Sequence, residues 1–367
     1  MIGMSPTAAR VRPKRSPSGV VAVTGAAGEL GARLAALLVD SGEFAKVIGI
    51  DTTRGSATGV TWRRTDVRDP TLRSKLAGVD TVVHLATDRR PDAAPVERRT
   101  VNVRGTENVL SAAAAAGVGR VVLLTSAMVY GADAADPETL PDDAPVLAEQ
   151  DLSLIGDWVE MERLAAVAGR GAKPLDVVAV RPAPVVGSDT DALVTRLFEA
   201  PRLLSIRGAS TRWQFCHVDD LVEALGWAAR RKVDGPVTVA SPGSLSHAEV
   251  EKITGMRSVV VPEAMALATA ERLYRVGVLS APGSELHYLA HSWVVGADRL
   301  RAAGWSAQWD NASALAAHME ALGDRGARGF ARISGTDATR AAAGATVAVV
   351  GAVAIARARA ARRRRRG

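Results

Sequence analysis

Residues Thr24-Gly25-Ala26-Ala27-Gly28-Glu29-Leu30-Gly31 stand directly behind the apolar run Val20-Val21-Ala22-Val23. Glycines at this spacing behind such a run predict a strand, a tight turn and the first turn of a helix. Gly25 permits the turn, Gly28 lets backbone approach a pyrophosphate closely, and Gly31 lets helix and strand pack together. The helix N-terminus then presents free N–H groups to phosphate oxygens. Gly25, Ala27, Gly28, Glu29, Leu30 and Gly31 are therefore candidate dinucleotide contacts. The next apolar run, Val47-Ile48-Gly49-Ile50, ends in Asp51, 20 residues past Gly31. An acid there meets the adenosine ribose hydroxyls. It accepts from a ribose diol and repels a 2′-phosphate, which favours NAD over NADP. Arg54 keeps NADP as the lesser alternative.

The chain has 367 residues, 47% of them hydrophobic, which suits a globular fold. The formal charge of +7 is carried at the ends. Residues 1–19 contribute +4 and 324–367 contribute +9, so 20–323 carry 7 − 4 − 9 = −6. An acidic body argues against a specific nucleic-acid face. Cys216 is the only cysteine, which excludes an intrachain disulfide and a cysteine-rich metal site. No metal-ligand set is read from the sequence. No apolar signal-peptide core precedes Val20, so a cytoplasmic location is expected.

Apolar runs alternate with helical stretches through the first half. Strands are expected at 60–62, 81–86, 120–125 and 175–180, and helices at 70–77, 95–116 and 151–169. A Pro- and Asp-rich loop falls at 132–147. This alternation predicts an α/β fold, a Rossmann doubly wound parallel sheet covered on both faces. From 183 the rhythm loosens into short strands (213–217, 236–240) and helices (218–231, 246–254). That suits a smaller C-terminal α+β substrate lobe. The expected organisation is a basic tail at 1–18, an NAD-binding domain at 19–182, a lobe interleaved with it at 183–323, and a linker and tail at 324–367.

With these motifs in view, the chain resembles the extended short-chain dehydrogenase/reductase family, the NAD-dependent epimerase/dehydratase group, over residues 19–320. Thr24–Gly31 is similar to the family's cofactor loop. The resemblance implies that Asp66-Val67 contacts adenine and that Leu85 and Ala86, after His84, lie beside the pyrophosphate and ribose. Asn102-Val103-Arg104-Gly105-Thr106 resembles its helix signature, which adds Asn102 to the cofactor set. Thr125–Gly131 resembles the strand carrying the catalytic serine, here Ser126, which would orient the substrate oxygen. Arg181–Gly187 resembles the segment near nicotinamide and substrate, and Phe215–Leu221 a largely structural signature.

The family's chemistry uses a Tyr-x-x-x-Lys pair on one helix face to move the substrate's hydroxyl proton. Residues 132–172 contain neither tyrosine nor lysine. Counting back from the Glu-Arg-Leu segment at 162–164 puts Leu154 and Trp158 at the two positions. Asp157, Glu160 and Glu162 share that helix and read as a solvated face. Tyr130 is expected to pack, His84 to be a core or backbone-bonded histidine, and Cys216 a small buried hydrophobe. Two readings follow: an enzyme acting on a sugar nucleotide or other hydroxyl/keto substrate through an altered proton relay, or an inactive dinucleotide-binding scaffold or sensor.

Ala341–Ala356 is a run of 16 uncharged, mostly apolar residues ahead of five consecutive arginines at 362–366. As a helix it would be about 24 Å long at 1.5 Å per residue, short for a bilayer core of about 30 Å. Segment 341–366 reads either as a surface-lying helix with arginines on anionic headgroups at the inner membrane face or as a disordered Ala/Arg-rich tail. The family resemblance permits a homodimer through a helix pair.

Overall fold

The computed structural model describes residues 17–332, apart from 91–92, 172–173, 188–194, 200–201, 210, 265, 267, 269–271 and 273–285. The apolar segment 341–356 and the arginine run therefore lie outside the described residues. Among those described, no helix is long and apolar enough to cross a membrane.

Each apolar run of the first half forms a strand: β1 (Val20–Thr24), β2 (Lys46–Asp51), β3 (Thr61–Arg64), β4 (Thr81–His84), β5 (Arg120–Leu124) and β6 (Asp176–Pro182). Between them run α1 (Glu29–Ser41), the short α2 (Leu72–Lys75), α3 (Pro95–Arg99), α4 (Gly105–Ala116) and α5 (Leu154–Ala168). A π-helical turn, Thr100–Arg104, joins α3 to α4, so the helix expected at 95–116 is continuous but locally underwound. The helix expected at 70–77 shrinks to the single turn of α2.

Later elements are β7 (Val185–Val186), β8 (Leu203–Ile206), β9 (Arg212–Trp213), β10 (Cys216–His217), α6 (Val218–Ala229), β11 (Val237–Val239), β12 (Leu245–Ser246), α7 (His247–Thr254), β13 (Ser258–Val261), α8 (His287–Ala290), α9 (Asp298–Ala302) and α10 (Asn311–Arg332). The main sheet has seven strands in the order β11-β6-β5-β4-β1-β2-β3. All its pairings are parallel. Strand order reverses between β1 and β4, which opens a crevice at their C-terminal ends.

Side chains alternate across the sheet. Val21 and Val23 face one core with Leu34 and Leu38 of α1 and Leu221 and Leu225 of α6. Ala22, Ile48 and Ile50 face the other with Leu72 of α2 and Val109 and Ala113 of α4. The C-terminal half returns to this sheet: β11 pairs with β6, and α6 packs on the α1 side. Strands β8 and β13 pair parallel outside the main sheet.

Helix α10 runs through 323–329, where the sequence predicts a linker. Its anchor is its first half, where Ala314 and Leu315 are fully buried and Met319 and Leu322 pack on the same core. Packing there outweighs the roughly 1 kcal/mol that each interior glycine costs a helix.

Arg120 fastens the start of β5 to the end of α6. Its Nη1 donates to the carbonyls of Ala228 and Val233, both at 3.0 Å, and its Nε donates to Asp176 at 2.8 Å. Asp176 and Asp234, its acidic partners, are partly or largely exposed, but the two carbonyls are buried with the guanidinium. Arg120→Met strands those carbonyls, and the loss expected in urea denaturation is about 1–3 kcal/mol.

Candidate functional site

The glycine loop lies at the switch point. Gly25 has a φ of +71°, and a Cβ on it would meet the Leu85–Ala86 peptide at 2.9 Å. A Cβ on Gly31 would lie 2.1 Å from the Gly25 carbonyl oxygen. Neither position has room for a side chain. At Gly28 a Cβ would touch only the Gly25 carbonyl, at 3.4 Å, and would otherwise fill the hollow in front of α1. Helix α1 starts at Glu29 with no side-chain cap, so its first N–H groups face that hollow. Glu29 itself turns to Arg33 at 3.2 Å. The cradle fits a pyrophosphate in backbone shape and in dipole sign.

Asp51, at the end of β2, does two things. Its Oδ2 accepts the Ala27 N–H at 3.0 Å and pins the glycine loop. Its Oδ1 accepts the Thr52 N–H at 2.7 Å. The carboxylate stays partly exposed beside the crevice. Arg64 spends its Nε on the Thr52 carbonyl and Arg63 spends its guanidinium on carbonyls after α2. Arg54 is exposed.

Asp66 forms a two-pronged bond with Arg68, Nε to Oδ1 at 2.9 Å and Nη2 to Oδ2 at 2.6 Å. Those bonds hold its carboxyl below the usual range. Val67 is buried, and its carbonyl accepts from Asn108 at 2.6 Å. The N–H groups of Leu85 and Ala86 both donate to Thr24 Oγ1, at 3.2 and 3.3 Å, which fixes the far wall of the crevice.

Behind that wall runs a buried chain of bonds. Thr106 gives its hydroxyl proton to the Asn102 carbonyl at 2.6 Å, so its oxygen accepts from His84 Nε2–H at 3.1 Å. His84 Nδ1 then accepts from the Thr24 hydroxyl at 2.7 Å. His84 is neutral in this arrangement, and complete burial pushes it down to about 4. Asn102 is fully buried. Its amide accepts from the Asp88 N–H at 2.7 Å and donates to the Asp88 carbonyl at 3.0 Å and to Asp157 at 3.1 Å. The amide is thus spent inside the protein, and Asn102 acts on the crevice by holding the loop after β4.

The acids of α5 are not a solvated face. Asp157 is fully buried, and Glu160 and Glu162 are 8% exposed. Asp157 binds Arg98 Nε at 2.9 Å and Arg99 Nη1 at 3.2 Å. Burial raises its carboxyl while Arg98 opposes the rise. Glu162 takes the Thr125 hydroxyl at 2.7 Å and the buried guanidinium of Arg181. Glu160 pairs with Arg163. Asp157 and Glu162 resisted prediction because their partners sit on other elements, as far as 59 residues away.

Ser126 lies two residues past β5 and is 8% exposed. Its Oγ accepts the Met128 N–H at 3.2 Å and caps a short 3-10 turn, Ala127–Tyr130. Tyr130 packs as expected. Its hydroxyl donates to the Asp142 carbonyl at 2.9 Å, and burial pushes it up to about 12. Trp158 is buried in the core and Leu154 packs against it. Cys216 is fully buried, and burial raises its thiol.

Beside the Ala127–Tyr130 turn opens a cleft of about 490 Å³. Asp133, Asp136, Glu149 and Asp151 line it from the 131–153 loop, with His287 and Tyr288 of α8 opposite.

The NAD dependent epimerase/dehydratase family matches residues 21–240, and the chain belongs to that family. Among curated proteins, an uncharacterized protein of Mycobacterium tuberculosis is 27% identical over 312 residues, 81% of this chain and 82% of that one. The L-arabinose 1-dehydrogenase (NAD(P)(+)) of Haloferax volcanii is 37% identical over 136 residues, 36% of this chain and 52% of that one. Among solved structures, MoeE5 in complex with UDP-glucuronic acid and NAD is 25% identical at a TM-score of 0.62, covering 84% of this chain and all of that one. The fold is also shared with WbmG of Bordetella bronchiseptica in complex with NAD, at a TM-score of 0.62 and 21% identity over 86% of this chain and 97% of that one.

The buried His84 gives a pH signature. The unfolded chain takes up its proton near 6.5 and the folded chain only near 4. Stability from this group is therefore complete above 6.5 and lost as pH falls through that window. Urea unfolding of His84→Gln should show a shallower acid slope there than the parent protein; equal slopes would mean that His84 does not titrate as placed.

Proposed function

We propose that this chain is an NAD-dependent extended short-chain dehydrogenase/reductase that oxidises or reduces a hydroxyl/keto centre of a sugar, free or carried on a nucleotide. The observation that carries the reading is the cradle at Gly25, Gly28 and Gly31, with Asp51 holding it from β2. When bound, the dinucleotide supplies hydride chemistry at its nicotinamide. Gly28 and the first N–H groups of α1 hold the pyrophosphate. Asp51 takes the ribose diol, and its negative charge disfavours a 2′-phosphate. Leu85 and Ala86 form the opposite wall. Asp66 and Val67 border the adenine end.

At the reacting end Ser126 orients the substrate oxygen. Its Oγ accepts one N–H and keeps its own proton to donate. The proton relay differs from the family's. Leu154 and Trp158 cannot carry protons, the α5 acids are spent on arginines, and Tyr130 is too weak an acid. The relay runs instead through water or a cleft carboxylate, Glu149 or Asp151. The same cleft acids accept hydroxyl protons, which suits a polyol. The arabinose dehydrogenase relative and the UDP-sugar complex of MoeE5 support a sugar in general terms. One observation favours the second reading, an inactive sensor or scaffold: Trp158, at the position the sequence count gives to lysine, is buried in the core.

Calorimetric titration checks the cofactor. NADH should bind more tightly than NADPH, and Gly31→Ala should abolish binding of both while costing about 1–3 kcal/mol of stability. Tighter NADPH binding would reverse the assignment at Asp51. Turnover with free and UDP-linked sugars separates enzyme from scaffold. Ser126→Ala should lower kcat by about 100-fold. If the parent is inert while Leu154→Tyr with Trp158→Lys gains activity, the scaffold reading holds.

A further inference from the structure

Three side chains that the dinucleotide reading does not use converge at the edge of the cleft. His287 and His291 are four residues apart, one turn along α8 and its C-cap, so they share a face. Their rings are 11° from parallel with centroids 6.3 Å apart. Glu263 follows β13 and comes from a separate stretch of chain. One ligand atom from each of Glu263, His287 and His291 lies within 4.8 Å of the others, and all three residues are half-buried. Beyond the backbone bond from the His291 N–H to the His287 carbonyl at 3.0 Å, none of the three side chains has a hydrogen bond or ion pair among the described residues. The other four histidines differ. His84, His217 and His247 are bonded to neighbouring side chains or backbone, and His318 contacts the Gly187 carbonyl.

We propose that Glu263, His287 and His291 form a binding site for a divalent transition-metal ion of the zinc class. Two imidazoles and one carboxylate are a donor set that zinc accepts, whereas magnesium and calcium prefer all-oxygen shells. Ligand atoms in a tetrahedral zinc site sit about 3.4 Å apart, given bonds of about 2.0–2.1 Å. Torsions of the three side chains cover that difference. Three protein ligands leave one coordination position open. His287 also lines the 490 Å³ cleft, so that position is available to water or to an oxygen of a molecule bound there. The ion also ties α8 to the segment after β13, two pieces of the lobe distant in sequence.

The test uses the full-length, untagged protein, stripped with EDTA and dialysed. Titration with Zn²⁺ by calorimetry should give a single saturating equivalent. Co²⁺ should give visible d–d absorption of an N/O-ligated site, and Zn²⁺ should raise Tm. His287→Ala and His291→Ala should remove all three signals, and the near-isosteric Glu263→Gln should weaken them. His247→Ala should leave them unchanged. Absence of saturable binding overturns the proposal. So does binding that persists unaltered in both His291→Ala and Glu263→Gln. NADH binding is read in the same samples: its loss with intact metal binding would count against the dinucleotide reading alone.

Discussion

A steric limit between two glycines underlies this structure. The Gly25 carbonyl and the Gly31 Cα are so close that one methyl group on Gly31 would sit 2.1 Å from the oxygen. That approach sets α1 directly over the end of β1, so the helix N-terminus points into the crevice rather than past it. Gly25 in turn is pressed against the Leu85–Ala86 peptide, which closes β1 on β4. Asp51 completes the triangle from β2 through the Ala27 N–H. Three neighbouring strands thus meet one loop, β1 and β4 through backbone and β2 through the Asp51 carboxylate.

The second constraint is buried charge. Removing one partner from a buried ion pair typically costs about 3–5 kcal/mol, because the other is left uncompensated. Helix α5 carries two such pairs, Asp157 with Arg98 and Glu162 with Arg181. Both reach the edges of the crevice. Asp157 shares Asn102 with the loop after β4, and Glu162 shares Thr125 with the end of β5, next to Ser126. Helix α5 is thereby locked in register against both walls. Its acids act as structural pins, which removes them from the pool of proton carriers.

What could be read from sequence follows from the range of the forces involved. The glycine loop, Asp51, the seven-residue Arg181–Gly187 segment and the alternating strands are set by local sterics and by period, and residue order alone carries those. The burial of Asp157 and Glu162 depends on arginines brought in from elsewhere, so a charged helix face reads as solvated. Asn102 was legible as a signature residue but not as a loop pin, since its partner Asp88 lies 14 residues back across a turn. Gly323 and Gly329 suggested a linker because propensity is local, while the anchoring of α10 through Leu315 is tertiary. The His287-x-x-x-His291 spacing was visible all along, but Glu263 joins it only through the fold.

The inner face of α5 is given over to packing: Trp158 is buried and Leu154 packs on the same core, so both positions belong to the hydrophobic interior. An indole in that place excludes water as well as a cation. A charged lysine in the same site would need a carboxylate partner, and the nearby acids already hold arginines. The proposed relay therefore enters from the other side, where Ser126 follows β5 and Glu149 and Asp151 line the cleft. The proposed enzyme reading places that chemistry on the 131–153 loop, whose cleft-lining carboxylates keep contact with solvent.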